Sequence, residues 1–150
     1  MDSLENLLRD EQELPSLYLI GGSMTQTATT ILDGYYTVVF DTEHRTFHIW
    51  TQPADATFAP GKRLIALLGK GGEYTTFAFV ERNGGINVWR RFISCYAVVA
   101  EAARFLTSGD TRAAGTMYAM QSGRCWRCNR MLTDPLSIKL GIGPYCREQL

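Results

Sequence analysis

The sequence lacks any long uninterrupted run of apolar side chains. No stretch of its 150 residues reaches the roughly 18 consecutive apolar residues that a membrane-spanning helix requires, so we expect no association with a membrane. The first residues, Met1–Asn6, are acidic and amphipathic. A secretory signal peptide instead starts with basic residues and continues with apolar ones. The sequence therefore predicts a cytoplasmic protein.

The sequence also lacks the motifs of common nucleotide-binding and metalloprotease sites. It contains no Walker loop, no Gly-x-Gly-x-x-Gly after a strand and no His-Glu-x-x-His. The segment 69–72 only superficially resembles a phosphate-binding loop, and we expect a hairpin turn there. His44 and His48 flank a predicted turn and strand rather than sharing a helix face. Because no acid, base and nucleophile converge, we expect neither catalysis nor a small-molecule substrate.

The chain has no net charge, but its charges are unevenly distributed. Residues 1–81 carry 11 acidic and 5 basic side chains, a net of −6, and residues 82–150 carry 10 basic and 4 acidic ones, a net of +6. A basic C-terminal half can face nucleic acid or an acidic protein partner. Alternatively, the two halves attract each other, or the charges are scattered over a solvated surface.

Local patterns predict helix at the start of the chain. We assign residues 1–15 to an N-terminal helix in which Ser3 is the cap. Pro15 ends it, because proline disfavours a helical residue before it. The apolar positions that recur at helical spacing are Leu4, Leu7, Leu8 and Leu14.

Residues 16–92 are predicted to form an antiparallel β domain. Tyr35–Phe40 and Thr46–Thr51 are rich in aromatic and β-branched residues, and polar or glycine-rich turns separate the segments. One such turn is expected at Asp41–Arg45, and Asn83-Gly84 favours the positive φ angles of a tight hairpin. The pattern predicts a meander of about five strands, and the overall fold class is α+β. The strand segments are Tyr35–Phe40, Thr46–Thr51, Arg63–Leu68, Glu73–Glu81 and Ile86–Phe92.

Residues 93–121 switch to helical spacing and are predicted to be a helical link. Its first helix extends to Leu106, and Thr111–Gln121 forms a second. Cys95, at the start of the first helix, is expected to be a buried small apolar residue rather than a nucleophile. The predicted buried stripe of the first helix consists of Tyr96, Val99, Ala103 and Leu106.

Residues 122–150 contain three of the four cysteines and are predicted to be a zinc-binding module. Cys125 and Cys128 form a Cys-x-x-Cys pair, which lets two thiolates reach one ion from a single turn. Seventeen residues separate Cys128 from Cys146, which supplies a third ligand from a second piece of chain, and this interval is typical of zinc sites. Gly141 and Gly143 suit a backbone that bends around the metal. We expect the zinc to be structural, since three thiolates make it a weak Lewis acid.

The sequence does not specify a fourth ligand for the metal, since no further cysteine or histidine follows Cys146. Water would complete the shell, as would one of several side chains or the terminal carboxylate. Three reduced thiols without metal are the alternative to a zinc site. The candidate side chains are Asp134, Glu148, Cys95, His44 and His48.

The residues around the cysteines form a dense motif, Cys-x-x-Cys-x-Arg-x-Leu-Thr-Asp-Pro-x-Ser followed by Gly-Ile-Gly-Pro-x-Cys, which extends from Cys125 to Cys146. It resembles a short module shared by many bacteriophage and actinobacterial proteins and catalogued only as a domain of unknown function. The resemblance covers about a fifth of the chain and implies zinc binding and a phage-like origin. Some members are attached to DNA-processing enzymes, and three cysteines are the usual pattern.

Basic and aromatic residues in the C-terminal half indicate candidate contacts with a binding partner. Arginine and tryptophan together can hold phosphates and stack on bases, so the first hypothesis is a phage-type accessory protein that binds DNA or RNA through its basic half. The alternative is a protein–protein module that binds or inhibits a host enzyme or defence component. Trp89 is expected in the core, whereas Trp126 is expected either exposed or packed against the domain. The candidate contacts are Trp126, Arg127, Arg130, Lys139, Arg147, Arg90 and Arg91.

Overall fold

The computed structural model describes residues 31–150. The predicted N-terminal helix and the first part of the predicted β domain lie outside the described residues. The described chain confirms the α+β class, with a five-stranded antiparallel sheet and helices after it. The strands follow one another in the order β1-β2-β3-β4-β5, a simple meander. They are β1 Gly34–Phe40, β2 Glu43–Thr51, β3 Arg63–Leu68, β4 Tyr74–Val80 and β5 Ile86–Val88.

The first hairpin turn is shorter than the sequence predicted. Phe40 pairs directly with Glu43, so only Asp41 and Thr42 form the turn, and His44 belongs to β2. Both turn residues have positive φ, at 55° and 63°. Two-residue turns with this geometry match the twist of antiparallel strands, which is why the strands continue further than their apolar pattern indicated.

The predicted last strand was wrong beyond Val88. The amide of Trp89 still donates to the Phe77 carbonyl at 2.8 Å, but the chain then closes a 3₁₀ turn over Arg90–Phe92. The Phe92 amide donates to the Trp89 carbonyl at 2.8 Å. This turn lets the Trp89 ring pack against Phe79 at 5.5 Å between centroids. The tertiary packing of one large ring therefore overrides the strand propensity of its neighbours.

Four helices follow the sheet: α1 Ala97–Ser108, α2 Thr111–Ser122, α3 Pro135–Leu140 and α4 Pro144–Glu148. Two helices lie within the predicted link, but the first begins at Ala97 rather than at Ile93. Of its predicted stripe, Val99, Ala103 and Leu106 are buried and Tyr96 is half-buried. Cys95 is exposed, contrary to expectation, because α1 starts two residues after it. Within residues 31–150, no helix combines the length and the apolar character needed to cross a membrane.

The sheet carries a different hydrophobic cluster on each face. On one face, Tyr36, Phe47 and Ile65 belong to the large core that also includes α1, α2 and the cysteine segment. On the other face, Leu64, Phe79 and Trp89 form a smaller cluster beneath the loop that connects β2 and β3. The prediction that Trp89 is a core residue is confirmed. The division of the chain into a β domain, a link and a zinc module stays a prediction, since the large core runs through all three.

Candidate metal centre

The three cysteines of the C-terminal segment converge on one point. The Sγ atoms of Cys125, Cys128 and Cys146 lie within 4.8 Å of one another, and none of the three forms a disulfide. In a tetrahedral site with Zn–S near 2.3 Å, two sulfurs are roughly 3.8 Å apart. The upper limit of 4.8 Å exceeds that value by about 1 Å, so the trio can hold a metal ion after small side-chain adjustments.

A short knuckle, formed by residues 124–131, presents the first two thiols. Its two ends are joined by an isolated β-bridge between Arg124 and Met131. Within it, the Cys125 amide donates to the Arg130 carbonyl at 2.8 Å and the Asn129 amide donates to the Cys125 carbonyl at 2.8 Å. Asn129 adopts a positive φ of 67°, which asparagine tolerates better than most residues. The turn is tight enough to bring Cys128 back beside Cys125.

The third thiol is positioned by α3 and α4. Asp134 caps α3 by accepting hydrogen bonds from the Ser137 amide at 3.1 Å and from its hydroxyl at 3.2 Å. Gly141 ends α3 with a positive φ of 78°, which favours glycine. The Gly143 amide lies 3.5 Å from the Cys125 Sγ and donates to it. The two glycines therefore direct the backbone around the thiols, as the sequence predicted.

The electrostatics of the trio favour a cation at its centre. Burial raises the pKa of the Cys125 thiol, but backbone amides of Cys128, Gly143 and Arg127 donate to its sulfur, and its pKa lies below the ordinary value. Burial, together with the adjacent Cys128 and Cys125, raises the pKa of Cys146 to about 12. Thiolates this close repel one another, and a divalent cation between them removes that repulsion.

The donor set fits zinc or a similarly thiophilic ion. Thiolate sulfurs select soft or borderline metals, whereas magnesium and calcium prefer oxygen ligands. Among residues 31–150, no further cysteine, histidine or carboxylate side chain joins the group. Asp134 is occupied as the cap of α3, and the predicted alternatives His44, His48, Cys95 and Glu148 lie outside the cluster. The described residues therefore offer three thiolate ligands and no fourth side-chain ligand.

The expectation that Trp126 is exposed was wrong. Its side chain is only 2% exposed, and its ring packs on Tyr36 at 5.5 Å between centroids. Its carbonyl accepts a hydrogen bond from the Tyr35 amide at 2.5 Å, which joins the knuckle to the edge of β1. The alternative reading, that Trp126 packs the knuckle against the rest of the protein, is the one the structure supports.

Two of the arginines predicted to contact a partner instead form hydrogen bonds within the protein. Arg127 is half-buried, and its Nη1 donates to the Asp33 carbonyl. Its Nε is buried without a hydrogen-bond partner among the described residues. Arg147 donates from Nη1 to the Ser137 hydroxyl at 3.1 Å and to the Ile142 carbonyl at 2.9 Å. Because these donors satisfy protein acceptors, neither guanidinium is fully available to a phosphate.

The other four predicted contacts are exposed but do not form one surface. Arg130 and Lys139 lie on the cysteine segment, which meets the sheet at β1. Arg90 and Arg91 follow β5 at the opposite edge, and Arg91 lies over the ring of Phe92 at 5.0 Å. Four interstrand spacings separate β1 from β5, a distance of roughly 19 Å. The basic half of the sequence is therefore divided between two edges of the sheet.

Sequence reasoning missed the residues that hold the knuckle in place. A β-carbon on Gly34 would lie 2.6 Å from the Trp126 carbonyl oxygen, and one on Gly115 would lie 2.7 Å from the indole. The Tyr118 hydroxyl hydrogen-bonds the Asn129 side chain at the turn of the knuckle. Only Gly115, inside a predicted helix where glycine is disfavoured, carries a local signal that could have been noticed.

Comparisons with known proteins identify the same segment. Residues 115–150 match the model of a family of unknown function, DUF6011. The match covers 36 of the 150 residues and includes all three cysteines together with Gly115. No curated protein and no solved structure matches the chain. The match confirms that residues 115–150 form a module of unknown function.

Proposed function

We propose that the trio of cysteines holds a structural zinc ion. The observation that supports this is the approach of three sulfurs to within 4.8 Å, with an amide donating to the Cys125 sulfur. The segment that contains the ligands is too short to bury a core alone, so metal binding would supply part of its folding free energy. No histidine or carboxylate of residues 31–150 belongs to the group, which supports a non-catalytic role.

We further propose that the protein is a binding protein whose zinc module contacts another protein. The observation that carries this choice is the burial of Trp126 at 2% exposure. The residue expected to stack on bases is part of the core, while several apolar residues of the module point to solvent. Met131, Ile138 and Tyr145 are each more than half exposed. Exposed apolar side chains concentrated in one short module, together with cations such as Arg130, favour a protein interface.

Binding of nucleic acid is the second candidate. It is supported by four of the predicted contact residues, which are exposed: Arg90, Arg91, Arg130 and Lys139. These residues would bind phosphates through charged hydrogen bonds. We would then expect an affinity that falls steeply with salt and little preference for sequence.

A matched pair of neighbouring substitutions separates the two candidates. Arg130 and Met131 are adjacent and both exposed. Met131→Asp should abolish capture of a protein partner from host lysate at high salt, and Arg130→Ala should leave that capture unchanged. The reverse pattern, with Arg130→Ala weakening a gel shift on single- or double-stranded DNA or RNA at low salt, would favour nucleic acid. Equal zinc content in both variants shows that each is folded.

The remaining parts of the proposal concern origin and compartment. The motif resemblance supports a phage-type accessory protein, with a host enzyme or defence component as its partner. Three reduced thiols placed to bind metal are consistent with the reducing cytoplasm of a host cell. Expression in infected cells followed by fractionation tests the location, and recovery of the protein with extracellular material would contradict it.

A further inference from the structure

An apolar surface lies where two helices of the C-terminal half meet. A β-carbon on Gly141, at the end of α3, would lie 3.0 Å from the Cβ of Ala119 in α2. The chain neighbours of these two residues, Leu140 and Met120, are exposed, as is Leu136 one turn earlier on α3. Their side chains are between 41% and 74% exposed. We name Met120, Leu136 and Leu140 the α2–α3 apolar surface.

The charge around this surface is positive. Residues 115–150 carry five basic and two acidic side chains, a net of +3. Exposed Lys139 lies between Leu136 and Leu140 on α3. An occupant of this surface therefore needs apolar side chains combined with acidic ones.

The chain itself contains a segment with that chemistry. Residues 1–30 carry five acidic side chains and one basic one, a net of −4. The leucines of the predicted helix recur at helical spacing, on the face opposite Asn6. Glu11 falls within the leucine stripe, where it would meet a cation such as Lys139. Apolar periodicity and acidic charge are thus combined in residues 3–14.

The described chain begins beside the module. Ile31 is buried in the large core, the Asp33 carbonyl accepts from Arg127, and the Tyr35 amide donates to the Trp126 carbonyl. The residues between 14 and 31 can span roughly 50 Å when extended. This length is ample to reach α2 and α3, and covalent attachment gives the segment an effective concentration in the millimolar range.

We propose that residues 3–14 dock on the α2–α3 apolar surface of the same chain. The leucine stripe covers Met120, Leu136 and Leu140, and Glu11 within that stripe lies toward Lys139 of the basic module. The proposal uses residues other than Met131, Ile138 and Tyr145, so it does not depend on the protein partner proposed above. Docking would bring the acidic residues 1–30 close to the basic residues 115–150 of the same molecule.

Photo-crosslinking in the full-length protein tests the proposal. A benzophenone amino acid at Leu8 should crosslink to peptides that contain Met120 or Leu136–Leu140. The same probe at Asn6, on the opposite face, should do so several-fold less. Leu140→Asp should lower the yield from position 8 several-fold while zinc content is unchanged, which shows that the module is still folded.

A mixture of isotopically heavy and light chains identifies the occupant. Crosslinks within chains of one isotope support docking in the same molecule. Heavy–light crosslinks would overturn the proposal in favour of a second copy. Crosslinks to the sheet instead of the module, or equal yields from positions 6 and 8, would also overturn it. A separate failure of the Met131→Asp capture experiment would leave these results unaffected.

Discussion

Gly115 lies directly beneath the indole ring of Trp126, so that a β-carbon at position 115 would lie 2.7 Å from the ring atoms Cγ and Cδ2. Glycine is otherwise disfavoured in the second turn of a helix. The absence of a side chain here lets α2 and the knuckle approach each other. The knuckle and its thiols are thereby held against the core.

We expect Gly115→Ala to destabilise the protein. An exchange of glycine for alanine inside a helix usually stabilises by about 1 kcal/mol, but here the added methyl group meets the indole. We expect a net loss of about 1–3 kcal/mol in the free energy of unfolding, measured by urea denaturation. In the background of Trp126→Leu, which removes the ring, the same substitution should cost less. A stabilised Gly115→Ala variant would contradict the observed packing.

Removal of any one thiol of the trio should release the metal. We expect one zinc per chain in the wild type and loss of tight binding in Cys125→Ser, Cys128→Ser and Cys146→Ser, measured by elemental analysis after dialysis. Thermal unfolding of these variants should begin at a lower temperature, because metal binding contributes to folding. Cys95→Ser is the matched control, since Cys95 is exposed and outside the trio. Retention of a full equivalent of zinc in a trio variant would show that the ligands are assigned wrongly.

Arg127→Ala should reduce stability rather than nucleic-acid affinity. Its guanidinium donates to the Asp33 carbonyl, and a charged hydrogen bond of this kind contributes about 1.5–3 kcal/mol. Denaturant unfolding should show a loss of that order, whereas Arg130→Ala, at an exposed position two residues past Cys128, should change stability little. If Arg127→Ala weakened binding to DNA while its stability was unchanged, the structural role would be refuted.

We expect the free energy of unfolding to fall at acidic pH because His48 becomes protonated more readily in the unfolded chain. This side chain stacks on Tyr35 at 4.1 Å between ring centroids, and burial lowers its pKa below the ordinary 6.5. The unfolded chain therefore binds the proton more readily than the folded one. The free energy of unfolding consequently falls as the pH drops through 6.5 and down to the lowered pKa.

His48→Phe should flatten this dependence. Denaturation of the wild type and the variant at about pH 7.5 and pH 5.5 measures the difference. The exposed His44, on the same strand, supplies the control His44→Phe, which should keep the wild-type slope. Release of bound metal by acid would affect all three proteins equally, so it cancels in the comparison. A slope that His48→Phe leaves unchanged would assign the pH dependence to other groups.

Local patterns determined much of this fold. Aromatic and β-branched residues indicated strands such as Tyr35–Phe40, which the structure begins one residue earlier, at Gly34. Apolar residues at helical spacing indicated α1. The second helix, α2, begins after its cap Asp110 and ends before Gly123. The spacing of Cys125, Cys128 and Cys146 was enough to predict that three sulfurs converge. Each of these signals acts over a few residues, or through the reactivity of one residue type.

Only the tertiary structure decided the surroundings of the metal site. Trp126 is buried because Gly115 and Gly34 leave room for its ring and its carbonyl, and the second of these lies 92 positions earlier in the chain. Arg127 points inward because the Asp33 carbonyl lies beside it. Sequence spacing shows which residues can bind a metal. Whether a neighbouring side chain faces solvent or the core depends on contacts between distant segments, and the sequence alone does not contain their geometry.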